Sequence, residues 1–274
     1  MKRVITAAVL IPLVFLVIFK GTFLLVVIVT AIFAELAAWE YLSLADSIGA
    51  KTPRIMVLLA IAVLFAATFR SADLAISALG ICSIAVFVVC TFRSPLERVL
   101  LDAASSVFAL IWIALSLTTI PLLWAQEHGA SLLLFLFCVV WSGDIAGLYV
   151  GRSLGCHKLA PHISPKKTWE GSVASMAGSL LATAILFYLA RQLEDRSILA
   201  ITYGGTLTRW LLLAVLLNIA AQLGDLVESA VKRGSGVKDS GTILPGHGGI
   251  LDRIDALLLA APVLWYAQIA QQYF

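Results

Sequence analysis

The sequence predicts an all-α, polytopic integral membrane protein with about nine transmembrane helices. Three observations lead there. The 274 residues are 61% hydrophobic and 13% charged, with a mean hydropathy of +1.00, whereas a soluble domain has about 45–50% apolar and about 25% charged residues. Nine apolar runs approach or exceed the roughly 20 residues that a helix needs to cross about 30 Å of hydrocarbon. The basic residues between those runs divide unequally between the two sides. No sizeable soluble domain fits between the runs. The chain 1–274 therefore reads as one integral membrane domain, with 1–128 mainly scaffold spans and 129–274 carrying the polar, function-bearing spans and cytoplasmic loops.

The runs, in order, are about 4–19, 22–44, 55–69, 73–92, 99–124, 130–150, 171–190, 207–230 and 250–273. The first and third are short. The first has a basic start, Lys2-Arg3, like a signal peptide, but Lys20-Gly21 leads straight into the next run, so it reads as a retained span. The second carries Glu35, Trp39 and Glu40 toward its cytoplasmic end. Interfacial anchoring accounts for Trp39 and the glutamates; Glu35, the deeper one, also suits a site wall or a subunit contact. If Lys2 and Arg3 start in the cytoplasm, nine spans leave only Lys20, Arg70, Arg191, Arg196 and Arg209 outside, and the other fourteen of the 19 basic residues inside. That bias is the positive-inside pattern. It orients the polar loops toward the cytoplasm, and the membrane expected for the chain is the cell (inner) membrane. A net charge of +3 gives no argument for nucleic acid as a partner. The four cysteines show no CxxC or His/Cys zinc spacing, and no disulfide or structural metal is expected of them.

Three polar constellations interrupt the second half: WSGDIAGLYVGR (141–152), GCHKLAPHISPKKTWEG (155–171), and NIAAQLGDLVESAVKR (218–233), which runs on into KDSGTILPGHGGILDRID (238–255). A charged residue inside a span is costly and marks function by default, although interhelical ion pairs also occur. Here Asp144, Asp225, Glu228, Asp252 and Asp255 fall near the cytoplasmic ends of three different spans. Asp252 and Asp255 are one turn apart and share a helix face. Several acids at one depth repel one another unless a cation lies among them. The ligands are hard carboxylate oxygens, which favours Mg²⁺ or Mn²⁺ over zinc. A carboxylate–Mg site beside Lys and Arg is the usual composition of a phosphoryl-transfer centre.

The neighbouring residues fit phosphate chemistry and also have plainer readings. Gly246, Gly248 and Gly249 precede the last helix; they suit a close backbone approach to an anion, or simply a turn. Lys232, Arg233, Lys238 and Arg253 supply positive charge, although Lys232 and Arg233 also read as positive-inside flanks. His247 is open between proton carrier, phosphate donor and turn residue. In the SPKKTWEG loop, Ser164-Pro165 suits a turn and Lys166 and Lys167 suit a polyphosphate clamp. Thr168 suits the N-cap of the seventh span, with Glu170 in its first turn.

SAVKRGSGVKDSGTILPGHGGILDRID, residues 229–255, resembles the signature of the phosphatidate cytidylyltransferases, or CDP-diacylglycerol synthases. The matching positions are Ser229, Lys232-Arg233, Lys238-Asp239, Pro245-x-His247-Gly248-Gly249 and Asp252-Arg253-x-Asp255. The HKLAPHISPKKTWEG loop and GDLVES also look like that family; WSGDIAGLYVGR, with Asp144, is a looser match. The resemblance covers about 141–255. It implies transfer of CMP from CTP to phosphatidate, giving CDP-diacylglycerol and pyrophosphate, by a homodimer working at the bilayer with an active site open to the cytoplasm. It implies Mg²⁺, with a second ion, K⁺ or Mg²⁺, and puts the metal on Asp225, Asp252 and Asp255. Lys238, His247 and Arg253 would join these at the catalytic centre. Ser164, Lys166, Lys167, Lys232, Arg233, Gly248, Gly249 and Asp144 would bind substrate. Competing readings are a CTP-dependent polyprenol or dolichol kinase and a secondary transporter, whose site belongs at the midplane between repeats; no repeat is visible here. The DGxxAR-type motif of CDP-alcohol phosphotransferases is absent.

Overall fold

The protein is described by a computed structural model covering residues 12–196, 201–243 and 248–273. Nearly all of it is helix. Residues 12–20 are helical, followed by α1 (Phe23–Ser47), α2 (Arg54–Arg70) and α3 (Ala72–Arg93). A 3-10 turn (Leu96–Arg98) leads into α4 (Val99–Phe108), a π-helical stretch (Ala109–Leu115) and α5 (Ser116–Trp124). Then come α6 (Gly129–Ser153), strands β1 (Lys158–Ala160) and β2 (Ser164–Thr168), α7 (Trp169–Asp195), α8 (Leu207–Gly234) and α9 (Leu251–Tyr273).

Among the described residues, seven helical segments are long and apolar enough to cross a membrane: Phe23–Ser47, Ala72–Arg93, Leu96–Trp124, Gly129–Ser153, Trp169–Asp195, Leu207–Gly234 and Leu251–Gln271. The protein is a polytopic helical membrane protein; the described residues hold seven such segments, against the nine expected of the whole chain. Half of the expected run 4–19 lies outside the described residues. The run 55–69 forms α2, whose 17 residues extend only about 25 Å at 1.5 Å per residue, short of the hydrocarbon thickness. Helix starts follow the sequence: Thr22 and Ser71 cap α1 and α3 by accepting from Leu25 N and Leu74 N. Pro121 and Pro262 lie inside α5 and α9, which membrane helices tolerate better than soluble ones do.

The chain packs as two compact units. The first takes the described residues of Met1–Leu122 and Val231–Ile254. Its core holds Leu42, Ile61, Leu64, Phe65, Leu110 and Ile113, all almost fully buried. Arg54 pairs with Asp46 at 2.8 Å and lies over the Trp39 ring at 4.9 Å. Asp102, fully buried, accepts from Lys51 N at 2.7 Å and Ser94 Oγ at 2.5 Å, which satisfies a charge that would otherwise be expensive to bury.

The second unit takes the described residues of Leu123–Ala230 and Asp255–Phe274. Gly143, Gly147 and Gly151 on α6 face Ser175, Ser179 and Gly171 of α7, and a Cβ on Gly147 would stand 3.1 Å from Gly171 O and 3.2 Å from Ser175 Cβ. Small residues at four-residue spacing let membrane helices approach backbone to backbone, where van der Waals packing and polar bonds replace the hydrophobic drive. A polar seam completes the packing. Asn218 of α8, 1% exposed, donates through Nδ2 to Ser175 Oγ and Ser179 Oγ, both at 2.9 Å. Its Oδ1 accepts from Gln222 Nε2 at 2.6 Å, and Gln222 bonds Ser172. In the same unit Tyr203 donates to Ser131 O at 3.1 Å, and burial pushes its phenol well up.

The stretch expected to be a loop with a Ser164-Pro165 turn is a two-stranded antiparallel hairpin instead. Ser164 and Pro165 lie in β2, and residues 161–163 make the turn. The register shifts between Lys158 and Ala160, and such irregular pairing accommodates a residue like Pro165 that has no N–H to give.

Candidate active site

In the second unit, Asp225 and Glu228 lie one turn apart on α8, and Asp255 lies on α9. Their carboxylates offer three oxygens that all lie within 4.8 Å of one another. Gly224 makes this possible: its ideal Cβ would collide with Asp255 O and stand 3.2 Å from Ala256 Cα. Only glycine lets α8 and α9 come that close at this level. Glu228 is fully buried. Asp225 accepts from Ser229 Oγ at 3.4 Å and pairs with Lys167 Nζ at 2.6 Å. Asp144 is within electrostatic reach of Asp225 and Lys167, and Asp255 within reach of Asp225, Glu228 and Asp144.

The hairpin and α7 deliver Lys167. Successive strand residues point to opposite faces, so the two lysines separate: Lys167 reaches Asp225 while Lys166 is exposed. Thr168 N-caps α7 by accepting from Gly171 N at 3.1 Å. Glu170 in the first turn accepts from His157 N at 3.2 Å and bonds His157 Nδ1 at 2.6 Å, which ties the strand entry to the helix. Ser164 is half-buried in β2.

Three ionised carboxylates this close repel by roughly 3–4 kcal/mol per pair at an effective dielectric of about 20. A divalent cation removes that penalty. Three hard oxygens without sulfur or imidazole form a donor set suited to Mg²⁺.

In the first unit Asp252 has a different environment. Its Oδ1 accepts from Lys232 Nζ at 2.5 Å, with the side chains 6% and 12% exposed. Its Oδ2 accepts from Ser240 N at 2.9 Å, Ser240 Oγ at 3.0 Å and Gly249 N at 2.8 Å. Gly248 has a φ of 79°, in the left-handed region that favours glycine, and its ideal Cβ would stand 2.6 Å from Asp252 Oδ2. The glycines thus admit a carboxylate of the chain itself, and the amides of residues 249–251, leading into α9, bond Asp252 and Glu40. Lys238, Arg233 and Arg253 are exposed, and Arg233 donates to Val237 O at 3.0 Å. Leu244, Pro245, Gly246 and His247 lie outside the described residues.

The structure therefore brings Asp225 and Asp255 together, adds Glu228, and engages Asp252 with Lys232, Ser240 and Gly249. Glu228 was visible in the sequence as an acid three residues from Asp225, a spacing that shares a helix face. Glu40, rather than Glu35, is the buried glutamate of α1, at 3% exposure; the sequence shows it as an acid near the end of its span, and nothing local names its partners.

Fold and site together define a membrane-embedded carboxylate centre with an adjoining lysine, built from helices joined through small and polar residues. The chain matches the model of the cytidylyltransferase family over residues 1–270, and it belongs to that family. It is 44% identical over 161 residues to a phosphatidate cytidylyltransferase of Brucella suis biovar 1 (strain 1330), covering 57% of this chain and 54% of that protein. Against proteins of the same name, identity is 39% over 173 residues in Mycobacterium leprae (strain TN), 62% of this chain and 51% of the relative. In Haemophilus influenzae (strain ATCC 51907 / DSM 11121 / KW20 / Rd) it is 41% over 141 residues, 51% and 46%. The chain's matching region thus spans about half the length of these curated relatives.

Proposed function

We propose that this protein is a phosphatidate cytidylyltransferase, which moves CMP from CTP to phosphatidate and releases pyrophosphate. The observation that carries the reading is the Asp225–Glu228–Asp255 group beside Lys167, in a chain whose relatives bear that name. We assign Mg²⁺ to these three carboxylates. Bound there, the ion would offset the charge of the nucleotide's phosphates and polarise their oxygens.

The chain's own residues bind and orient. A phosphatidate phosphate oxygen is anionic at neutral pH, so its attack needs no strong general base. It bonds to the α-phosphorus of CTP while the α–β bridging bond breaks, and pyrophosphate leaves with the electron pair. Lys167 exchanges its bond to Asp225 for a phosphate oxygen. Lys166, exposed on the same hairpin, carries further positive charge, as its chemistry suits. Asp252 orders the approach to α9 rather than holding the ion. The reading includes a homodimer in the cell's inner membrane, and the basic bias of the loops supports the cytoplasmic face for this chemistry.

The test uses protein purified in mixed micelles with phosphatidate, Mg²⁺ and CTP labelled at either the α- or the γ-phosphate. The α-label should enter the lipid as CDP-diacylglycerol. Entry of the γ-label instead means a lipid kinase, and entry of neither defeats the proposal.

A further inference from the structure

We propose that Glu40, on α1 and some two hundred residues distant in sequence, is a positioning residue that locks the start of α9 and thereby holds Asp252 in place. Its carboxylate is 3% exposed and accepts from Ile250 N at 3.0 Å, Leu251 N at 2.9 Å and Ser240 Oγ at 2.9 Å. A buried carboxylate is costly unless hydrogen-bonded. Here the open amides of a helix start and the positive end of its dipole compensate it.

The connection to Asp252 is direct. Ser240 lies between the two acids, its hydroxyl 2.9 Å from Glu40 Oε2 and 3.0 Å from Asp252 Oδ2. One hydroxyl hydrogen serves one acid at a time, so the two carboxylates share it. The Ser240 N–H goes to Asp252 Oδ2 as well. Displacing Glu40 therefore releases the backbone at Ile250 and Leu251, next to the Gly249 amide that bonds Asp252, and leaves the Ser240 hydroxyl tied to Asp252 alone.

The glycines of the segment support this. An ideal Cβ on Gly241 or on Gly249 would collide with the Glu40 carboxylate. The φ of Gly241 is not positive, so its requirement is for space rather than for backbone conformation. Gly241 and Gly249 leave the space into which a glutamate from another span enters.

The inference rests on the proposed activity for its kinetic arm only. Amide hydrogen exchange of residues 248–252 is measured alongside cytidylyl transfer for Glu40→Ala, the near-isosteric Glu40→Gln, Gly241→Ala and the double variant Glu40→Ala/Gly241→Ala. Glu40→Ala should speed exchange at Ile250 and Leu251. It should also lower kcat by about ten- to hundredfold, the scale of a misplaced site, with KM for CTP changed by less than about threefold. Glu40→Gln, which keeps the shape and one acceptor, should fall between Glu40→Ala and the wild type in both readouts. Gly241→Ala should reproduce the Glu40→Ala defect, and the double variant should be no worse than Glu40→Ala alone, because the two changes break one contact. Unchanged exchange in both Glu40 variants overturns the lock. Faster exchange with undiminished kcat overturns the positioning role, and a fully additive double variant overturns the steric pairing. If the wild type itself transfers no cytidylyl group, the proposed activity fails, and exchange together with additivity then decides the lock alone.

Discussion

Asn218 offers the clearest perturbation of the second unit. Its side chain makes three hydrogen bonds, two as donor to Ser175 and Ser179 of α7 and one as acceptor from Gln222. Gly143 of α6 lies so close that a Cβ there would stand 2.7 Å from Asn218 Nδ2, so one amide ties three helices. Interhelical hydrogen bonds within a membrane average about 0.6 kcal/mol and reach about 1.7. Asn218→Ala should therefore cost roughly 2 kcal/mol from the three bonds, and about 1 more for lost packing in a crowded seam. Asn218→Asp keeps the size but exchanges the donor for a charge; it should cost at least as much, since Ser179 already donates to Val139 O at 2.7 Å. Equilibrium unfolding in mixed micelles, with double-mutant cycles against Ser175→Ala and Ser179→Ala, measures both totals and couplings. A loss for Asn218→Ala below about 0.5 kcal/mol, or no coupling to either serine, would refute the seam as an energetic element. Asp225 lies two turns further along α8, so activity should fall together with stability.

Other changes have equally definite outcomes. Glu228→Gln should raise the Mg²⁺ needed for half-maximal transfer by at least about tenfold, because the proposed assignment makes it one of few charged ligands; an unchanged Mg²⁺ titration would count against it as a ligand. Asp252→Asn breaks a pair with Lys232 whose side chains are 6% and 12% exposed. It should cost about 3–5 kcal/mol in unfolding while leaving divalent-ion binding intact. Thr168→Ala removes the α7 cap and should cost about 1 kcal/mol, with Thr168→Ser near wild type; equal losses in the two variants would contradict the capping role.

The sequence made the helices legible because apolar runs of membrane length have few other solutions. It also disclosed the Thr168 cap, whose geometry depends on residues three apart. Contacts between distant segments were not legible. Glu40 resembles an interfacial anchor until Ser240 and residues 249–251 fold against it, and no local pattern announces a partner two hundred positions away. Glu228 shares a face with Asp225 by simple periodicity, but the motif drew the ligand set toward Asp252, whose acceptors meet lysine, hydroxyl and amide donors instead. Pro165 concealed a strand, since a Ser-Pro pair between charged residues has the composition of a turn. The π-helical stretch at Ala109–Leu115 has no signature in a uniformly apolar run.

Divalent-ion binding tests the central claim most directly, with Mn²⁺ as a paramagnetic substitute for Mg²⁺ and protein in micelles without nucleotide. Titration followed by electron paramagnetic resonance should show a site in the wild type and in Asp252→Asn, and its loss in Asp225→Asn, Glu228→Gln and Asp255→Asn. Undiminished binding in those three variants, or its loss in Asp252→Asn from protein that remains folded, would contradict the assignment of the ion to Asp225, Glu228 and Asp255.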